Sequence, residues 1–138
     1  MYLLDTNVVS ELRKTKRNKA NKHVLSWAKA NPHSTLFLSS ITVLELEIGI
    51  LLIERKDTTQ GKLLRSWLED YVLPTFADRI LSIDTAVART CAKMHIPDKR
   101  SDRDALIAAT AVVHSMTIVT RNVKDFAFDD LKVINPWC

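Results

Sequence analysis

Short apolar runs alternate with longer helix-period segments along the whole chain, and this alternation restricts the fold more than any other feature. Met1–Leu4, Leu36–Leu38, Arg79–Ile83, Thr117–Thr120 and Lys132–Ile134 read as strands. A short helix follows Asp5. Val24, Leu25, Trp27 and Ala28 predict a second, stopped near Asn31-Pro32. Further helices are expected over Ile41–Ile53, over Leu63 to Val72, from Asp84 through Met94, and over Asp104–His114. Strands separated by helices pair in parallel, because a parallel pair needs a long crossover. The expected fold is therefore α/β: a central, mostly parallel twisted sheet with helices on both faces, a three-layer α/β/α sandwich.

No repeat, low-complexity tract or linker interrupts the 138 residues, so one domain over 1–138 is expected. A hydrophobic fraction of 46% supports a core without disulfides. Cys91 lies in an apolar helical pattern and Cys138 is the last residue, and their spacing suits no zinc site. No apolar run reaches the ~20 residues that cross a bilayer. Met1-Tyr2-Leu3-Leu4-Asp5 lacks the basic start of a signal peptide, so a cytoplasmic location and no membrane contact are expected.

The net charge of +4 is local. Arg13, Lys14, Lys16, Arg17, Lys19 and Lys22 crowd residues 13–22 without an acid, and the rest of the chain carries slightly more acid than base. Such a patch suits contact with phosphates, and it equally suits a solvated loop.

Much familiar chemistry is excluded. Only Gly49 and Gly61 are present, so no glycine-rich phosphate cradle exists. The four histidines form no H-x-x-x-H pair, and no G-x-S-x-G elbow occurs. Carboxylates remain. In open parallel sheets ligands bind beyond the carboxyl ends of strands, and Asp5 directly follows the first strand. Glu45 sits inside an apolar helix, where a carboxylate is costly unless it is paired or metal-bound. Asp104 opens the alanine-rich helix, and Asn122 and Asp125 follow the fourth strand. Ordinary roles exist for each acid. Asp5 suits an N-cap, and Thr42-x-x-Glu45 and Ser101-x-x-Asp104 match capping boxes. Glu47 points away from Glu45 and suits a salt bridge. Three acids in three separate βα units nonetheless suggest a common site. Gathered carboxylates repel unless a cation intervenes, and oxygen ligands select Mg²⁺ or Mn²⁺. Such an ion can activate water for attack on a phosphodiester. A phospho-acceptor receiver domain fits poorly, since Asp5 has no acidic neighbour.

These residues resemble the PIN-domain family, in its VapC and FitB-like branch. Leu3-Leu4-Asp5-Thr6-Asn7-Val8 looks like the family's opening motif. The segment from Leu38 to Gly49 is similar to its second motif, with the acid at Glu45. Asp102 to Ala111 is similar to the third, with the acid at Asp104, and Ile118 to Phe126 is similar to the fourth. Ile134-Asn135-Pro136-Trp137 resembles the close of that branch.

The resemblance implies a PIN-like sandwich and a Mg²⁺- or Mn²⁺-dependent endoribonuclease, the toxin of a VapBC-type toxin–antitoxin pair. It implies Asp5, Glu45 and Asp104 as catalytic metal ligands. Asn122 stands where many relatives carry a fourth aspartate; Asp125 or Asn122 itself is then the possible fourth ligand. Thr6, Thr120 and Asn7 are expected to support the acids. Arg13, Lys14, Lys16, Arg17, Lys99, Arg100 and Arg103 are the expected RNA contacts. The implied partners are RNA, a VapB-like antitoxin, a second copy of the chain, and operator DNA through the antitoxin only. The Asn122 departure leaves an alternative: a non-catalytic PIN-like subunit that pairs with a DNA-binding partner.

Overall fold

Leu3 and Leu4 point to opposite sides of one strand, and both are completely buried. That requires helices on both faces of the sheet, and the structure has them. It is a computed structural model that describes residues 1–138, apart from the side chain of Lys16. The strands are β1 (Tyr2–Leu4), β2 (Leu36–Ser39), β3 (Ile80–Leu81), β4 (Thr117–Val119) and β5 (Val133–Ile134). They form one sheet in the order β3-β2-β1-β4-β5 with every pairing parallel, and β1 sits at its centre.

The helices are α1 (Thr6–Arg13), α2 (Lys22–Ala30), α3 (Ser40–Lys56), α4 (Thr58–Trp67), α5 (Leu73–Thr75), α6 (Thr85–Met94) and α7 (Asp102–Val113). On one face Leu4, Val8, Val24, Leu38, Ile50, Leu68 and Val119 form a continuous core. On the other, Leu3 and Ile118 pack against Ile107, Ala108 and Phe126. Ala105, Ala108, Ala109 and Ala111 of α7 are fully buried. Small side chains let α7 lie close to both the sheet and α6, whose Val87 and Cys91 meet Ala105 and Ala109.

Several boundaries differ from expectation, for local reasons. The Ser39 hydroxyl accepts from the Ile41 amide at 3.0 Å, so α3 begins at Ser40. Thr42 is therefore already helical and fully buried, and the Thr42-x-x-Glu45 box does not form. Similarly α7 starts at Asp102, and the Ser101 side chain caps no helix amide. Asp84 does cap α6, accepting from the Val87 amide at 2.9 Å. The basic stretch is less of a loop than expected: Lys14–Arg17 extends α1 as a 3-10 turn, ended by Asn18 at φ 54°. The helix expected up to Pro74 starts earlier, at Thr58, and runs through a π turn at Leu68–Val72 into α5.

Asp57 joins α3 to α4 without a loop, since it ends the first and caps the second through the Gln60 amide at 3.0 Å. Arg65 of α4 reaches back to Glu54 at 3.0 Å and also pairs with Glu47, which gives Glu47 its expected ion pair. The close approach depends on Gly61, where a Cβ would stand 2.8 Å from the Glu54 Cα and 2.7 Å from its Cγ. At Gly49, by contrast, an added Cβ would meet nothing within 4 Å. Gly61→Ala is expected to destabilise the protein by about 1–3 kcal/mol through overpacking. Gly49→Ala is expected to raise stability by up to ~1 kcal/mol, because it removes only helix-opposing glycine freedom. Urea unfolding of the two variants beside the parent measures both signs.

Candidate active site

The strand order reverses direction at β1. From β1 the chain crosses to β2 and β3 on one side, then returns to place β4 and β5 on the other. A crevice opens at the carboxyl ends of β1 and β4, where neighbouring crossovers diverge. Asp5 lies at its floor. Its amide continues the ladder, donating to the Val119 carbonyl at 2.9 Å, so strand pairing fixes the residue's position. The side chain is only 6% exposed.

Asp5 takes its expected N-cap role, and its second oxygen is held by other partners. It is the N-cap of α1, with Oδ1 accepting from the Thr6 amide at 2.8 Å. Its Oδ2 accepts from the Thr120 hydroxyl at 2.8 Å and from Asn7 Nδ2 at 3.2 Å. Asn7 also reaches Thr120 Oγ1 at 3.4 Å, and its Oδ1 accepts from the Arg121 amide at 3.3 Å. Asn7 thus links the start of α1 to the segment after β4.

Glu45 comes from the second turn of α3 and is held by Thr6, whose hydroxyl donates to Oε1 at 2.6 Å. Its other oxygen lies 3.8 Å from the Arg103 guanidinium. Asp104 enters from the first turn of α7. Asp5, Glu45 and Asp104 line one cleft of about 470 Å³, together with Thr6, Asn7, Asn122, Arg13 and Lys14. Three acids distant in sequence therefore share one wall-to-wall space. Asp125 is exposed and does not line the cleft, although its charge bears on Asp5 and Asp104.

Electrostatics reflect that convergence. Burial pushes the Asp5 carboxyl above its usual range; the Thr120 and Thr6 hydrogen bonds oppose this, and Glu45 and Asp125 add to it. Asp104 is also raised, by burial and then by Asp5, Asp125 and Glu45. The donor set is hard oxygen, anionic and mutually repelling, which suits Mg²⁺ or Mn²⁺ in type. Among the described residues, however, no three His, Cys, Asp or Glu side chains already stand in a metal-holding arrangement. Asp5, Glu45 and Asp104 are the acids that line the cleft and would hold such an ion.

The expected RNA contacts divide. Arg13 and Lys14 border the cleft, and Arg103 reaches Glu45. Arg17 is exposed next to Arg13, whose guanidinium it bears on. Lys99 and Arg100 do not line the cleft: Arg100 stacks on the Phe128 ring at 4.1 Å and binds the Ala127 carbonyl, while Lys99 sits in the exposed turn before it. Their charge alone does not bring them to the cleft. The side chain of Lys16 lies outside the described residues.

Four lining residues lay outside the sequence expectation: Ser10, Glu11, Arg121 and Trp137. The first two could have been found, since Asn7, Ser10, Glu11 and Lys14 recur at helical spacing on one face of α1. Burial raises Glu11, but the Asn21 amide and Lys14 more than reverse this and leave it below the usual carboxylate range. A second, mostly apolar hollow of about 390 Å³ lies beside the cleft, lined by Leu25, Trp67, Tyr71 and Phe76. Arg13 borders both spaces.

The PIN domain family's sequence profile matches residues 2–132. The "VapC ribonuclease Y4jK" of Sinorhizobium fredii is 39% identical over 145 aligned positions, covering 99% of this chain and 98% of that protein. "Toxin FitB" of Neisseria gonorrhoeae is 39% identical over 143 positions, covering 99% of each. A solved structure of FitAB bound to a DNA fragment superposes with a TM-score of 0.87 at 36% identity, over 100% of this chain and 96% of that one. With the profile match, the full-length relatives and the shared parallel sheet in agreement, this chain belongs to the PIN domain family.

Proposed function

We propose that this chain is the toxin of a VapBC-type toxin–antitoxin pair, an endoribonuclease that hydrolyses RNA phosphodiester bonds with Mg²⁺ or Mn²⁺. One observation carries this reading: Asp5, Glu45 and Asp104, delivered by three separate elements, meet in a single cleft at the carboxyl edge of the sheet. The names of full-length relatives, a VapC ribonuclease and the toxin FitB, support it.

Asp5, Glu45 and Asp104 would hold the ion. When bound, a divalent ion supplies an activated water and neutralises charge on the phosphoryl oxygens. The chain's own residues do the positioning. Thr120 and the Thr6 amide keep Asp5 aimed into the cleft, and the Thr6 hydroxyl keeps Glu45 beside it. Asn122 offers a neutral carboxamide in place of a fourth acid. Arg13 and Lys14 at the mouth attract the phosphate backbone, with Arg103 beside Glu45. Flexible, unpaired RNA is the expected substrate, because its backbone enters a crevice that a duplex cannot.

The partner side of the reading is an antitoxin that covers the apolar hollow beside Arg13, and through which operator DNA is reached. A homodimer completes it. No helix is long and apolar enough to cross a membrane. The alternative, a non-catalytic PIN-like subunit that pairs with a DNA-binding partner, rests on Asn122 standing in place of a fourth acid.

Two predictions separate these readings. Asp5→Asn is expected to abolish RNA cleavage and the rise in melting temperature on adding Mg²⁺ or Mn²⁺. In the metal-free protein the same variant is expected to melt higher at neutral pH. Burial raises the Asp5 pKa, so ionising this carboxyl costs the folded protein more than the unfolded chain. The carboxyl's contribution is therefore favourable at low pH and is lost as pH rises through the folded value. The difference from the parent should vanish toward the unperturbed value of 3.8. A parent protein that neither binds Mn²⁺ in calorimetry nor cleaves RNA would establish the non-catalytic alternative. Second, Thr120→Val removes a hydrogen bond that stabilises charged Asp5 and is expected to weaken Mn²⁺ binding by about 10- to 100-fold. Equal affinity in titration calorimetry would remove Thr120 from the site.

A further inference from the structure

The last motif of the chain ends against the acidic cleft. Asn135 accepts from the Trp137 amide through Oδ1 at 2.9 Å, a local turn that fixes the tryptophan just past β5. Pro136 is buried. Trp137 is half-buried, packs against the core beneath the crevice and lines the cleft. Arg121 lies over its ring, with Cζ 5.3 Å from the centroid. The Arg121 backbone is tied independently, by the amide bond to Asn7. Among the described residues, Arg121 has no carboxylate within ion-pair distance. It is an exposed guanidinium at the rim of an anionic cleft, close enough to Glu11 for its charge to lower that carboxyl but outside ion-pair contact.

We propose that Arg121, held over the Trp137 ring, is the phosphate-binding residue for the RNA strand in this cleft, and that Trp137 is its positioning residue. The inference rests on the ribonuclease reading. The chemistry is direct. A guanidinium held over an aromatic ring can still present its N–H donors to two phosphate oxygens. The stack also removes rotamer freedom before binding, so less is lost on contact. Across the cleft, Asp5 and Asp104 then face the same phosphodiester from the ion-binding side.

The test uses a fluorescein-labelled single-stranded RNA oligonucleotide in EDTA, read by anisotropy, with cleavage followed separately in Mn²⁺. Arg121→Ala is expected to weaken RNA binding about tenfold. It should also flatten the log–log salt dependence by about 0.7, the share of one phosphate contact on a single strand. Arg121→Lys should restore the salt slope but not the affinity, since it keeps charge and loses the planar fork. Trp137→Phe should bind like the parent. Trp137→Ala should raise KM with kcat unchanged and shallow the salt slope, which loss of packing alone would not do. Parent-like affinity and slope in Arg121→Ala overturn the inference. So does Trp137→Ala that melts lower yet binds RNA normally. If the parent itself neither binds nor cleaves the RNA, the ribonuclease reading fails first.

Discussion

A single buried carboxylate organises this molecule's working edge. Asp5 is the last point of the central strand, the first contact of a helix and the acceptor of a hydroxyl from the neighbouring strand's end. These bonds hold an anion where burial opposes its charge. The arrangement is stable because each partner is itself fixed by backbone: Thr6 by α1, Thr120 by its ladder bond to Ile134 at 2.9 Å. Loosening any one of them frees the acid to leave the crevice.

Around that fixed point the other acids are adjustable. Glu45 is tethered by one hydroxyl and approached by one guanidinium, and Asp104 stands on the first turn of a helix. The cleft thus joins one acid held by several bonds to two held by fewer.

Much of this was legible in the sequence. The alternation of short apolar runs with helices specified the parallel sheet, and Leu3-Leu4-Asp5 marked its central strand and the floor of the crevice. The three acids were visible because their setting is otherwise apolar. What stayed hidden follows from limits of periodicity. The helix starts at Ser40 and Asp102 depend on which of several neighbouring polar residues captures an amide, a competition that pattern alone does not decide. Charge clusters marked Lys99 and Arg100 as equals of Arg13, yet only three-dimensional placement shows Arg100 committed to Phe128. Arg121 and Trp137 carry no charge cluster and no period, so their meeting at the rim was not readable from spacing.

The apolar hollow and the acidic cleft share Arg13 as a party wall. This guanidinium also lies 6.0 Å from the Trp67 ring, on the hollow's side. A ligand in either space that recruits Arg13 withdraws it from the other. Any such competition would be mutual, each occupant weakening the other by the same factor.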